Sequence, residues 1–93
     1  MLELGQLVAG PFAGALLGWL GATVIKVEPP GGDVLRTWRT LGADGTSLWW
    51  RSVGRNKRSV VIDLRTPDGQ TLVRRLAGKV DVLIENFRPG TLE

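Results

Sequence analysis

Apolar positions recur at two different periods along this chain, and the alternation between them sets out the elements. From Val8 to Leu20 the pattern is helical: Phe12, Ala15, Leu16, Trp19 and Leu20 fall three and four residues apart, which stacks them on one side of a helix. Gly14 and Gly18 fall on the other side. Gly10 stands near the N-cap, and Pro11 suits a first turn, where its missing N–H would have no partner. Gly21 is placed as a C′ residue, since glycine takes the left-handed conformation without steric strain. A helix without charge on either face is expected to lie buried between layers, with the glycine side meeting a layer outside the chain. Thr23 to Val27 follows as a strand. Leu2 to Leu4 forms a short strand before the helix, so the opening unit reads β-α-β.

The second half repeats this order. Ser59 to Leu64 is a β-branched apolar run of strand length whose continuity suits a buried parallel strand. Thr66 then N-caps a helix with Pro67 in its first position and Asp68 near the positive end of the helix dipole. Leu72, Val73, Leu76 and Ala77 give that helix one apolar face, Gly78 closes it, and Asp81 to Glu85 is the fourth strand. Between the halves, Pro29 to Asp33 reads as a turn and Val34 to Trp38 as a short helix capped by Asp33. Thr40 to Ser47 reads as loop. Two β-α-β units predict an α/β fold, a Rossmann-like parallel sheet. Only two helices are predicted to cover four strands, and a further one could start at Thr91 to Glu93. Residues 1–93 are therefore expected to be the N-terminal part of a larger domain, or to be covered by another subunit.

The uncharged stretch from Gln6 to Ile25 also admits a membrane span, since about twenty apolar residues cross a bilayer. Pro11, the dense glycines and the stop at Gly21 favour the core helix instead, because about ten helical residues reach only half of that thickness. Met-Leu-Glu-Leu at the start carries no basic region of a secretory signal. The expected compartment is cytoplasmic.

Composition then narrows the chemistry. Of the 93 residues, 43% are hydrophobic and 23% charged, which is globular rather than disordered. Cysteine and histidine are both absent, which excludes disulfides, thiolate nucleophiles and Ser-His or Cys-His hydrolysis within the chain. Carboxylates are the only ready metal ligands, and no metal is expected. The net charge of +3 favours anionic partners mildly. Arg51, Arg55, Lys57 and Arg58 form a basic run beside Trp49 and Trp50, a pattern that stacks bases and neutralises phosphates in single-strand binders. Four charges are a narrow footprint for nucleic acid, so a phosphate-bearing small molecule or an internal ion network suits the run better.

Ligands of open parallel sheets bind outside the carboxyl ends of the strands. Four segments emerge there: Gln6 to Gly10, Pro29 to Asp33, Arg65 with Thr66, and Asn86 to Gly90. They offer backbone N–H groups, the Asn86 amide, Arg65 and Arg88, a set fit for a ligand with phosphates and a polar end. The plain alternative is that glycine and proline only turn the chain there, with both arginines solvated. Neither G-x-G-x-x-G nor a P-loop is present.

The ordered blocks AGPFAG, LGA, VIKVEPPGGD, GRNKRSVVIDLRTPDG and VLIENFRPG, which span nearly the whole chain, resemble the start of the class III CoA-transferases. That group takes in formyl-CoA transferase, the carnitine and bile-acid CoA-transferases and α-methylacyl-CoA racemase. The resemblance implies a Rossmann-like large domain and an interlocked homodimer, with coenzyme A or acyl-CoA as substrate and a carboxylic acid as acceptor. By motif position it implies that Val8 and Ala9 line the thioester end. Ile62, Asp63, Leu64 and Arg65 would meet the nucleotide, and Asn86, Phe87 and Arg88 would complete the site. The implied reaction runs through an aspartyl intermediate whose nucleophile lies beyond Glu93; α-carbon racemisation is the related alternative. Pro29 stands where some members carry arginine, and Gln6 and Val8 where formyl-CoA transferases carry histidine and glutamine, which points away from oxalate. A non-enzymatic phosphate or nucleic-acid binder on Trp49 to Arg58 is the remaining reading.

Overall fold

The computed structural model describes residues 1–92. Four strands, β1 (Leu2–Glu3), β2 (Val24–Glu28), β3 (Lys57–Val61) and β4 (Leu83–Ile84), form one sheet in the order β3-β2-β1-β4. Every pairing is parallel, with Leu2 opposite both Ile25 and Leu83, and Val24 opposite Lys57. Helices α1 (Ala9–Trp19) and α3 (Pro67–Ala77) connect β1 to β2 and β3 to β4; α2 (Leu48–Val53) lies in the long middle connection. The fold is α/β, as the two repeating units predict. Strand bounds shift by a few residues: β3 starts at Lys57 rather than Ser59 because β2 pairs with it along its whole length.

Local signals account for the ends of the elements. Thr66 accepts from Gly69 N and caps α3, with Pro67 first in the helix. Asp33 caps a 3-10 turn at Val34–Thr37 through Leu35 N. Gly21, at φ +105°, follows the C-cap of α1, so its missing side chain is needed there. Helix α2 has no counterpart in the apolar pattern; Ser47 starts it by accepting from Trp49 N and Trp50 N.

The period of two divides the sheet into unlike faces. Leu2, Leu4, Val27 and Ile62 point to one side, where Val73, Leu76 and Ala77 of α3 cover them together with Phe87. Burying such aliphatic side chains stabilises by roughly 1.5–3 kcal/mol each. Glu3, Lys26 and Glu28 alternate with them toward α1, and all three are buried.

That second face corrects the expected orientation of α1. Its buried residues are Gly10, Pro11, Gly14 and Ala15, while Phe12, Trp19 and Leu20 are 48%, 48% and 84% exposed. The glycine side meets this chain's own sheet, and the large apolar side is uncovered. The reason is steric: a Cβ on Gly14 would land on Glu3 Oε1. With 11 residues α1 is also too short for a bilayer, and no helix among the described residues is long and apolar enough to cross one. The helix start expected at Thr91 to Glu93 runs to Glu93, outside the described residues.

Candidate functional site

A cleft of about 450 Å³ opens at the carboxyl ends of the strands, a volume within the range of small-molecule sites. Its apolar lining comes from Leu4, Val27, Ile62, Leu64, Val73 and Phe87. Gln6, Asp63, Arg65, Gln70 and Arg74 supply polar groups, and Pro29, Thr91 and Leu92 complete the wall. An apolar trough edged by two guanidinium groups can hold a long ligand with a phosphate-bearing end.

Five residues read from the sequence meet in this cleft: Ile62, Asp63, Leu64, Arg65 and Phe87. Ile62 continues the ladder past β3 by donating its N–H to Glu28 O at 2.9 Å. Asp63 Oδ1 accepts from the Arg65 backbone N–H and from its Nε, both at 3.0 Å, and Oδ2 accepts from Nη2 at 3.2 Å. The Arg65 side chain is still 84% exposed, so the aspartate steers a group that remains open to an anion. That guanidinium and the Arg65 N–H hold the Asp63 carboxyl below its ordinary range.

The other four stand outside the lining. Val8 is the N-cap of α1 and Ala9 its first residue. Arg88 is exposed. Asn86 uses both ends of its amide on the first strand-end loop: Oδ1 accepts from Gln6 N at 3.0 Å and Nδ2 donates to Gln6 O at 3.1 Å. It therefore clamps β1's exit to β4's exit. The space for that clamp comes from Gly5, where a Cβ would collide with Asn86 Oδ1.

Gln70 and Arg74 are the polar cleft residues that sequence reasoning passed over, although their i, i+4 spacing on the helix after Arg65 is a usable signal. An internal ion network was expected for the basic run; the one beneath the loops takes in Lys57 together with Glu3, Lys26 and Asp33, which sequence reasoning passed over. Lys26 Nζ lies 2.7 Å from Glu3 Oε2 and 2.7 Å from Asp33 Oδ2, and donates to Gly5 O at 3.0 Å. Lys57 Nζ lies 2.6 Å from Glu3 Oε1 and donates to Pro11 O at 2.7 Å. Glu3 Oε1 and Asp33 Oδ2 are held by charge alone, since neither accepts a hydrogen bond of good geometry. Burial pushes the Lys57 pKa down, and Glu3 opposes that shift. Period-two alternation of Lys26 and Glu28 with apolar neighbours is the signal that would have revealed this layer.

Separate contacts divide the basic run. Lys57 is buried in it, Arg51 pairs with Asp44 at 2.7 Å, and Arg55 lies over the Trp19 ring at 5.5 Å. Trp49 packs edge-on against Trp38, with ring centroids 5.9 Å apart. These residues do not form one basic-aromatic stripe.

The sequence model of CoA-transferase family III matches residues 1–93. The chain belongs to this family. It is 60% identical, over its whole length, to succinyl-CoA--D-citramalate CoA-transferase of Chloroflexus aurantiacus, of which it covers 23%. It is 45% identical to human succinyl-CoA:glutarate CoA-transferase, matching over 99% of this chain and 21% of that one. Among solved structures, a CAIB/BAIF family protein from Brucella suis superposes with a TM-score of 0.88 at 45% identity, covering 98% of this chain and 25% of that one. The chain thus spans less than a quarter of these curated relatives' length.

Proposed function

We propose that residues 1–93 are the N-terminal part of a Rossmann-like large domain and form the coenzyme A-binding segment of a CoA-transferase. The observation that carries this reading is the apolar cleft edged by Arg65 and Arg74 at the carboxyl ends of parallel strands. Ile62 to Arg65 meet the nucleotide, and Val8 and Ala9 line the thioester end. Phe87 closes the wall, with Asn86 holding the loops together and Arg88 at the margin.

In the proposed reaction an aspartate beyond residue 93 attacks the acyl-CoA carbonyl carbon and expels the CoA thiolate, leaving an acyl-aspartyl anhydride. The thiolate then attacks the aspartyl carbonyl, releases the donor acid and forms an aspartyl-CoA thioester. The acceptor carboxylate takes CoA from that thioester through a second anhydride. Covalent catalysis of this kind divides one difficult transfer into easier steps. The activities for which both relatives are named support succinyl-CoA as donor and a dicarboxylic acid as acceptor. Both name transfer, which favours it over α-carbon racemisation. The uncovered apolar side of α1 fits cover by the rest of the polypeptide or by a second subunit, and the homodimer itself rests on the family resemblance.

Calorimetry of the complete protein with CoA tests the reading. Arg65→Ala and Arg74→Ala are each expected to weaken binding about tenfold, or about 1.4 kcal/mol. Affinities unchanged in both would remove the assignment. Transfer from succinyl-CoA without exchange of solvent deuterium into the α-position separates transfer from racemisation.

A further inference from the structure

Asp33 does more than cap the turn that follows it. Its carboxylate is buried, and Oδ1 accepts from Leu35 N at 2.8 Å, the capping bond. The same oxygen accepts from Leu7 N at 3.2 Å, across 26 residues of chain. Oδ2 faces the buried ammonium of Lys26 at 2.7 Å. Capping alone accounts for neither Lys26 nor Leu7.

Leu7 sits at φ +65°, a left-handed conformation that leucine rarely adopts. Such strain persists only where surrounding contacts over-determine it, and here they do. Asn86 grips Gln6 N and O on one side. Asp33 holds Leu7 N, and Phe12 N donates to Val8 O at 2.7 Å as α1 begins. The backbone direction at Val8 and Ala9 is therefore set by two side chains from other strand-end loops.

We infer that Asp33, held in place by Lys26, is a positioning residue: it locks Leu7 in the left-handed conformation and so aims Val8 and Ala9 at the acyl thioester. This rests on the reading above that places the thioester at Val8 and Ala9. Asp33 itself touches no substrate. Its loss misaligns the reacting end and leaves the nucleotide end, at Ile62 to Arg65, in place.

The test uses the complete protein, with succinyl-CoA kinetics beside calorimetry with CoA. Asp33→Ala is expected to lower kcat at least tenfold while the Kd for CoA stays within threefold. Asp33→Asn keeps an acceptor for Leu7 N but loses the charge facing Lys26, and is expected to fall between. Leu7→Gly in the Asp33→Ala background is expected to recover kcat at least fivefold, since glycine holds positive φ without strain. If Asp33→Ala does not fold, the same rescue is measured on Asp33→Asn. A folded Asp33 variant with unchanged kcat, a parallel loss of CoA affinity, or no recovery with Leu7→Gly overturns the proposal. Wild-type protein that fails to bind CoA overturns the functional reading and this inference together; wild-type that binds and transfers, with variants alike, overturns the inference alone.

Discussion

Gly14 of α1 lies directly over Glu3 of β1, so close that a single methyl group at position 14 would occupy the place of Glu3 Oε1. Glu3 is fully buried and fixed by Lys26 and Lys57, so it cannot yield. Gly14→Ala must lift the helix or break the ion network. Overpacking of this kind typically costs about 1–3 kcal/mol, against a helix-propensity gain of about 1 kcal/mol. We expect the complete protein to lose about 1 kcal/mol net, read from its urea midpoint. Gly18→Ala is the control: its Cβ would meet Val24 Cγ2 at 3.5 Å, an ordinary contact, and the change should be neutral or slightly stabilising.

Glu28 predicts an acid-sensitive step. Burial pushes its carboxyl up, but hydrogen bonds from Arg36, Ser59 and the Asp33 N–H outweigh that and bring it from 4.5 down to about 2. The folded value lies below the unfolded one, so the stabilisation is fully present above pH 4.5 and is lost as pH falls toward 2. Its size is about 2 kcal/mol, since the 40% exposure of Arg36 screens part of the pair. Unfolding free energy between pH 5 and pH 2.5 should fall less steeply in Glu28→Gln than in wild-type; equal slopes would refute the assignment.

Asn86→Ala removes both bonds to Gln6, and each is worth about 1 kcal/mol. Because the amide is spent on the loop, the variant should lower stability by about 1–2 kcal/mol and weaken CoA binding only through loop displacement. Asn86→Asp keeps the acceptor and loses the donor to Gln6 O, so its melting temperature should lie between those of wild-type and Asn86→Ala.

The exposed side of α1 predicts a buried contact in the complete protein. A charge at a free surface position usually changes stability by no more than about 0.5 kcal/mol. Leu16→Glu and Phe12→Glu should instead lower the melting temperature of the complete protein, with a change in sedimentation as well where the cover is the second subunit of the proposed homodimer. Unchanged sedimentation and melting in both would show that this face stays open.

Much of the fold was legible because its signals are local. The positive-φ glycine after α1 and the Thr66-Pro67 start of α3 depend on neighbours within a few residues. The sequence by itself determined the β-α-β repetition and the parallel sheet, since hydrophobic period and turn chemistry encode these directly. Tertiary structure alone decided which side of α1 faces the sheet. Hydrophobicity pointed to Phe12 and Trp19, but Glu3 and Lys57 stand beneath Gly14 and Asn86 beneath Gly10, so the small residues of the helix face the sheet. Pairing of charges 23 to 54 residues apart has no local pattern, because the ions meet only once three parallel strands lie side by side.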